Sequence, residues 1–398
     1  MSRISLLVTL LLCSQVVAQE PLVPPKSLES LRVATFNVSL NRPAAGRLAG
    51  DLKADDAQAR AIATVIRAIQ PDLLLLNEID YDSQHDNAAR LAKDYLADPR
   101  MDALGGQAWE MPHIYTGPVN TGLLSDVDVN QDGKIQLPED GWGFGRFPGQ
   151  YGMAVMSRYQ IDARQVVDLQ ELLWSKMPGA LRPQQESGLP YYDDATWGKL
   201  RIASKSFWDV PVLTPLGTIH LLASHPTPPA FDGPEDRNGC RNHDEIRLIE
   251  MYIDAGISVA EEGKLGLASD DAFVVVGDLN SDPVDGASRS EAIRSLLEHP
   301  RIARSPAPRS AGGANAARVQ RGVNTKQAGD PATDTADFND RSVGNLRVDY
   351  VLPSQQFTVL QSGVFWPDLE RVAASYRDAV QIALAASDHH CVWVDIAK

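Results

Sequence analysis

What this chain of 398 residues has little of narrows its function first. Positive charge is in deficit: 37 Lys and Arg stand against 52 Asp and Glu, a formal net charge of −15. Such a surface repels phosphate backbones and anionic membranes at long range, which argues against tight non-specific nucleic-acid binding. It leaves room for a local positive site, such as one made by a bound metal. Beyond the N-terminus no apolar run approaches the ~20 residues of a membrane helix, so no membrane span is expected. No fixed-period repeat occurs. Cysteine is scarce, with three in the chain: Cys13, Cys240 and Cys391. What remains, 43% hydrophobic and 22% charged, is the composition of a globular protein and not of a disordered or fibrous one.

The first eighteen residues are the exception. Arg3 gives a positive start, Ile4 to Leu12 a short apolar run, and Val16-Val17-Ala18 the small residues at which signal peptidase cuts. A signal peptide over 1–18 is therefore expected, then a proline-bearing linker over 19–30 and one domain over 31–398. The implied location is secreted or periplasmic. Cys13 follows Leu12 where a lipoprotein site needs a small residue, so lipidation is not expected. After cleavage Cys240 and Cys391 are left in an oxidising compartment. They either pair or stay as buried thiols, since spacing alone does not bring two Cα atoms together.

Apolar strands are expected at 31–40, 73–76, 151–157, 200–212, 218–224, 273–276, 347–352 and 390–396. Helices are expected at 55–70, capped by Asp55 or Asp56 and ended by Pro71, and at 242–257. Residues 98–150 and 301–345 read as an insertion and a long loop. Four of the apolar strands run out into carboxylates, amides or histidine: Asn37, Glu78, Asp278 with Asn280, and Asp388 with His389. Such groups are costly to bury unless paired or bound to metal, and sheet folds gather strand ends at one edge.

In order along the chain stand Thr35-Phe36-Asn37, Leu76-Asn77-Glu78, Tyr151-Gly152 with Ser157-Arg158, Ser224-His225-Pro226, Gly277-Asp278-Leu279-Asn280, Arg347-Val348-Asp349-Tyr350 and Ser387-Asp388-His389. With this ordered set the sequence resembles the endonuclease/exonuclease/phosphatase superfamily, the DNase I-like fold. The resemblance implies a four-layer α/β/β/α sandwich, two mixed β-sheets face to face with helices outside. It also implies hydrolysis of phosphate esters with a divalent metal, Mg2+ or Mn2+. Glu78 would be the chief metal ligand, with Asn37 and Asp388 beside it. Asp278 would orient or deprotonate the attacking water, and Asn280 would hold water or a phosphate oxygen. His389 would be the catalytic histidine, with Asp349 fixing its tautomer and charge. His225 would protonate the leaving oxygen, and Lys205 would touch phosphate. His390 falls on the opposite strand face and reads as structural. Arg241, Asn242 and Asp244 either cap a helix or line the cleft.

A separate motif lies in the insertion. Asp128, Asn130, Asp132, Lys134 and Glu139 fall at positions 1, 3, 5, 7 and 12 of an EF-hand-like loop, with Gly133 at 6. A single structural Ca2+ loop is expected. The reading is thus a secreted, monomeric, metal-dependent phosphoesterase that forms no stable nucleic-acid complex. An extracellular nuclease of the same fold and a non-catalytic calcium-binding scaffold are its alternatives.

Overall fold

The computed structural model describes residues 22–100, 104, 106–259 and 263–398, so the expected signal peptide lies outside the described residues. Eleven strands form two sheets. β1 (Leu31–Leu40), β2 (Leu73–Ile79), β3 (His113–Tyr115) and β4 (Met153–Ser157) join β14 (Thr358–Val364) and β15 (Val392–Ala397) in the order β14-β15-β1-β2-β4-β3. β5 (Val167–Asp168), β6 (Phe207–Thr214), β7 (Gly217–Ser224), β10 (Phe273–Asp278) and β13 (Asp349–Pro353) form the second sheet, in the order β13-β10-β7-β6-β5. The hairpin β8 (Ile257–Val259) and β9 (Gly263–Leu265), and the ladder β11 (Ala336–Asp337) and β12 (Asn345–Leu346), stand apart from both.

Strand periodicity explains the layering, because successive side chains point to opposite faces. Val33, Leu73, Leu75, Val274, Val276, Val392 and Val394 share one core between the two sheets. Their neighbours Ala34, Phe36, Leu74, Leu76 and Trp393 point outward into a second core under α1 (Arg47–Lys53), α2 (Ala57–Ile69), α3 (Asn87–Leu91) and α8 (Ala374–Leu384). Phe273 and Val275 face a third core beneath α5 (Arg237–Ile253) and α6 (Glu291–Glu298). The result is the expected four-layer α/β/β/α sandwich. Each sheet holds one parallel pair, β1 with β2 and β7 with β10. α2 and α5 lie in the two crossovers, as parallel neighbours require. Asp56 caps α2 by accepting from Ala59 N at 2.8 Å. The short helices α4 (Asp194–Trp197) and α7 (Ala311–Gln320) complete the set.

Four expectations are corrected. The segment 22–30 is no free linker: Val23 is buried, Pro24 O accepts from Arg32, and Lys26 pairs with Asp72. The strand expected from Leu200 begins at Phe207, because 200–206 folds as a loop. The insertion contributes the edge strand β3. The stretch 301–345 holds α7, two 3-10 turns and the β11–β12 ladder. Cys240 and Cys391 are buried free thiols. They lie in the two outer cores on opposite sides of the sandwich, which excludes their pairing in this fold. Among the described residues no helix is long and apolar enough to cross a membrane.

Candidate active site

The polar strand exits converge at one edge of the sandwich, from both sheets. Asp278 ends β10 and is the hub. Its Oδ2 accepts from Asn37 Nδ2 at 3.0 Å, and lies 3.4 Å from His225 Nε2 and 3.7 Å from His389 Nε2. Oδ1 accepts from Asn280 N at 2.9 Å, and Asp278 N donates to Asn77 Oδ1. Asn37, Asn77 and His389 belong to the first sheet or its approaches, and His225 and Asp278 to the second. Gly277 makes the close approach possible. Its φ is +153°, and a Cβ there would collide with the carbonyl of Ser224 on the neighbouring strand.

His389 Nδ1 lies 2.8 Å from Asp349 Oδ2, and that oxygen also accepts from Thr335 Oγ1 at 2.8 Å. Thr335 is held in turn by its backbone: His390 N donates to Thr335 O, and Asp337 N donates to Asp388 O. Burial alone would push His389 down. The carboxylates of Asp349 and Asp278 reverse this and lift it to about 10. Burial raises Asp349 against the pull of His389, and the 2.8 Å contact between them favours the carboxylate–imidazolium form of the pair. Burial would also raise Asp278, but the charge of His389 and the bonds from His225 and Asn37 hold it below the usual carboxylate range. Among the described residues, Asp349 Oδ1 and His225 Nδ1 are buried with no hydrogen-bond partner.

Glu78 is half-buried at the exit of β2, and its Oε2 accepts from Asn41 Nδ2 at 2.8 Å. Glu78 and Asn280 both take left-handed φ, 61° and 51°. Such backbone strain in non-glycine residues gathers where a side chain must be aimed. Lys205, expected to touch phosphate, is buried. Burial pushes its ammonium down, against the pull of Glu245, Glu78 and Asp278. Burial and the nearby Lys205 push His225 down as well, against the pull of Asp278 and Glu78.

Asp388 is exposed at the rim and touches the centre only through its charge on His389. His390 packs against the Trp366 ring, 3.9 Å between centroids, and burial pushes it down to about 3. Sequence reading gave no role to Asn77 and missed Thr335 and Asn41. Asn77 carried a signal, being next to Glu78; Thr335 lay in a stretch without one.

Do these residues fit a divalent cation? The carboxylate of Glu78 and the amide oxygens of Asn37 and Asn280 are hard oxygen donors of the kind Mg2+ takes. Ligand atoms of Asp278, Asp349 and His389 also lie within 4.8 Å of one another. There, however, Nδ1–H of His389 is already given to Asp349, so the imidazole–carboxylate pair accounts for that group better than an ion does. By donor chemistry, Glu78, Asn37 and Asn280 suit a hard divalent cation.

The calcium-type loop lies away from this hub. Asp128 Oδ1 and Asn130 Oδ1 both accept from Asp132 N at 3.1 Å. Asp128 Oδ2 accepts from Gly133 N at 2.8 Å, and Asp132 Oδ1 from Lys134 N at 2.9 Å. Glu139 is exposed. The buried neighbour Asp140 ties the loop ends, accepting from Val129 N at 2.7 Å and Gln136 N at 2.9 Å.

Several solved structures are similar in fold. An endonuclease/exonuclease/phosphatase from Beutenbergia cavernae is 22% identical, with 93% of this chain and 72% of that chain covered and a TM-score of 0.50. Sphingomyelinase C from Streptomyces griseocarneus is 15% identical, covering 93% and 99%, at 0.46. A beta toxin mutant from Staphylococcus aureus with bound magnesium ions is 12% identical, covering 93% and 100%, at 0.45. No curated protein matches the chain. The sequence profile of the Endonuclease/Exonuclease/phosphatase family matches residues 34–389, a span that runs from the strand bearing Asn37 to His389, and the chain belongs to that family.

Proposed function

We propose that this chain is an exported metal-dependent phosphoesterase that hydrolyses phosphate mono- or diesters by in-line attack of water. The observation that carries the reading is the Asp278 hub, where one carboxylate meets Asn37, His225 and His389 within 3.7 Å. Glu78 and Asn37, with Asp388 at the rim, would hold Mg2+ or Mn2+. When bound, the ion neutralises phosphate oxygens and polarises phosphorus.

The protein's own groups supply the rest. Asp278, ionised at neutral pH, accepts a proton from water or orients it, with Asn280 beside it. His389 presents an imidazolium to the phosphate, and Asp349 keeps its tautomer and charge. His225, 3.4 Å from Asp278 Oδ2, would protonate the leaving oxygen when it carries a second proton. Lys205 would touch the phosphate. The same proposal assigns one structural Ca2+ to the Asp128–Glu139 loop.

Purified protein is to be assayed with Mg2+ on a nitrophenyl phosphate monoester, the matching diester and plasmid DNA. Turnover of the small esters, lost on chelation and restored by the cation, is the expected result. Full activity after chelation overturns the mechanism, and cleavage of plasmid alone makes the protein a nuclease. Glu78→Gln should weaken cation affinity and rate together.

A further inference from the structure

α5 does more than cover a sheet. Within little more than one turn, three buried or half-buried polar residues face the loops that carry the site. Both carboxylate oxygens of Glu245 accept backbone N–H groups, Oε1 from Ser204 and Oε2 from Thr227, each at 2.6 Å. Ser204 immediately precedes Lys205, and Thr227 lies two residues after His225. Asn242 Nδ2 donates to the carbonyls of Thr227 at 2.9 Å and Leu279 at 3.0 Å, and Leu279 stands between Asp278 and Asn280. Arg241 donates to the carbonyls of Ile202 at 2.8 Å, Arg201 at 2.9 Å and Ala203 at 3.1 Å, and to Trp142 O in the insertion at 2.7 Å.

Four segments from different parts of the chain, around 201–204, Thr227, Leu279 and Trp142, thus end on little more than one helical turn. None of these bonds is local, and none is part of a sheet ladder. A carboxylate with both oxygens on backbone N–H groups is a strong, charge-assisted clamp. Removing one of its oxygens leaves a buried donor unpaired and frees one loop against the other.

We propose that Glu245 is a positioning residue of the phosphoester site, holding the loops of Lys205 and His225 in register so that the leaving-group acid meets its oxygen. The inference rests on the phosphoesterase reading. A misplacement of about 1 Å of a reacting group can lower a rate on the order of 10²-fold. The loss falls hardest where proton delivery matters most. A phenolate leaving group needs the proton more than a nitrophenolate does, because it is the stronger base.

Glu245→Gln keeps the volume but places an NH2 against one of the two N–H donors. With Mg2+ present, kcat is to be measured on phenyl and nitrophenyl phosphodiesters, with Mg2+ affinity and amide hydrogen exchange alongside. Expected are a loss of about 10- to 100-fold in kcat for the phenyl ester and a clearly smaller loss for the nitrophenyl ester. Exchange should quicken at the amides of Ser204 and Thr227, with Mg2+ affinity unchanged. Equal losses on both esters, or unchanged exchange at those amides, would overturn the proposal. Asn242→Ser, which releases Thr227 and Leu279 from the same turn, is the second variant should the first fail to fold. It should show the same leaving-group pattern, and the absence of that pattern counts equally against the clamp. Wild-type protein that hydrolyses neither diester, nor a nitrophenyl phosphate monoester, nor plasmid DNA refutes the phosphoesterase reading instead.

Discussion

Asp349 and His389, 40 residues apart in the chain, meet at 2.8 Å across the seam between the two sheets. Asp349 opens β13 of the second sheet, while His389 sits on the approach to β15 of the first. The two should act as one unit. His389→Ala is expected to cost about 10²–10⁴ in rate. Asp349→Asn should also lower the rate, and the double variant should be hardly slower than His389→Ala, because coupled residues are not additive. Single-turnover rates for the three variants decide it, and fully multiplicative losses would mean independent roles. By nuclear magnetic resonance the wild-type imidazole should stay protonated well above pH 7, and Asp349→Asn should move its titration downward.

The Asp128–Glu139 loop divides its labour between Glu139 and the acid that follows it. Asp140 already spends both oxygens on backbone N–H groups, whereas Glu139 is exposed. Ca2+ should therefore raise the melting temperature by ligand linkage, and Glu139→Ala should abolish that rise with Mg2+-dependent chemistry intact. Asp140→Ala should lower the melting temperature with or without Ca2+. A calcium response that survives Glu139→Ala would refute the ligand assignment.

Gly277 lies between strands that admit no side chain. Gly277→Ala should destabilise by about 1–3 kcal/mol or more, the usual scale of overpacking, and should displace Asp278. Chemical denaturation together with the diester assay measures both effects. A variant with wild-type stability and rate would mean that the β7–β10 contact is looser than described.

Far from the cleft, His220 Nδ1 lies 2.9 Å from both oxygens of Asp209, which also accepts from Tyr252 at 2.8 Å. Burial would lower His220, but Asp209 raises it above its ordinary value. A raised folded-state pKa gives stability that is fully present below the unfolded value, about 6.5, and that fades as pH climbs through the folded one. The stability gap between wild type and His220→Gln should accordingly be wider at pH 5.5 than at pH 9. Urea denaturation at the two values checks the sign.

Strand exits were legible because their signal is local: an apolar run that stops at Asn37, Glu78 or Asp278 announces itself within a few residues. The pairings were legible only through resemblance, since nothing near Asp349 names His389 as its partner. The burial of Lys205 was not legible for the same reason. A lysine is read as exposed unless something offsets its burial, and Glu245, Glu78 and Asp278 come from three other segments. α7 was missed because Gly312 and Gly313 argue against a helix. Gly312 is there because a Cβ would run into Trp366, a tertiary reason invisible to propensity. Segment 22–30 read as a linker from its prolines, but Arg32 reaches back to Pro24 and fastens it.

Because the working groups are shared between two sheets, the inner core that glues those sheets is also the ruler that spaces the chemistry. Asn37 to Asp278 and His389 to Asp349 are both bonds across this joint. Neither would survive a slide of one sheet over the other by even half a side chain. Residues such as Trp208 and Val210, which never approach the cleft through their own polar atoms, thereby set its dimensions. A cavity opened among them would be felt as a mistuned enzyme before it was felt as an unfolded one.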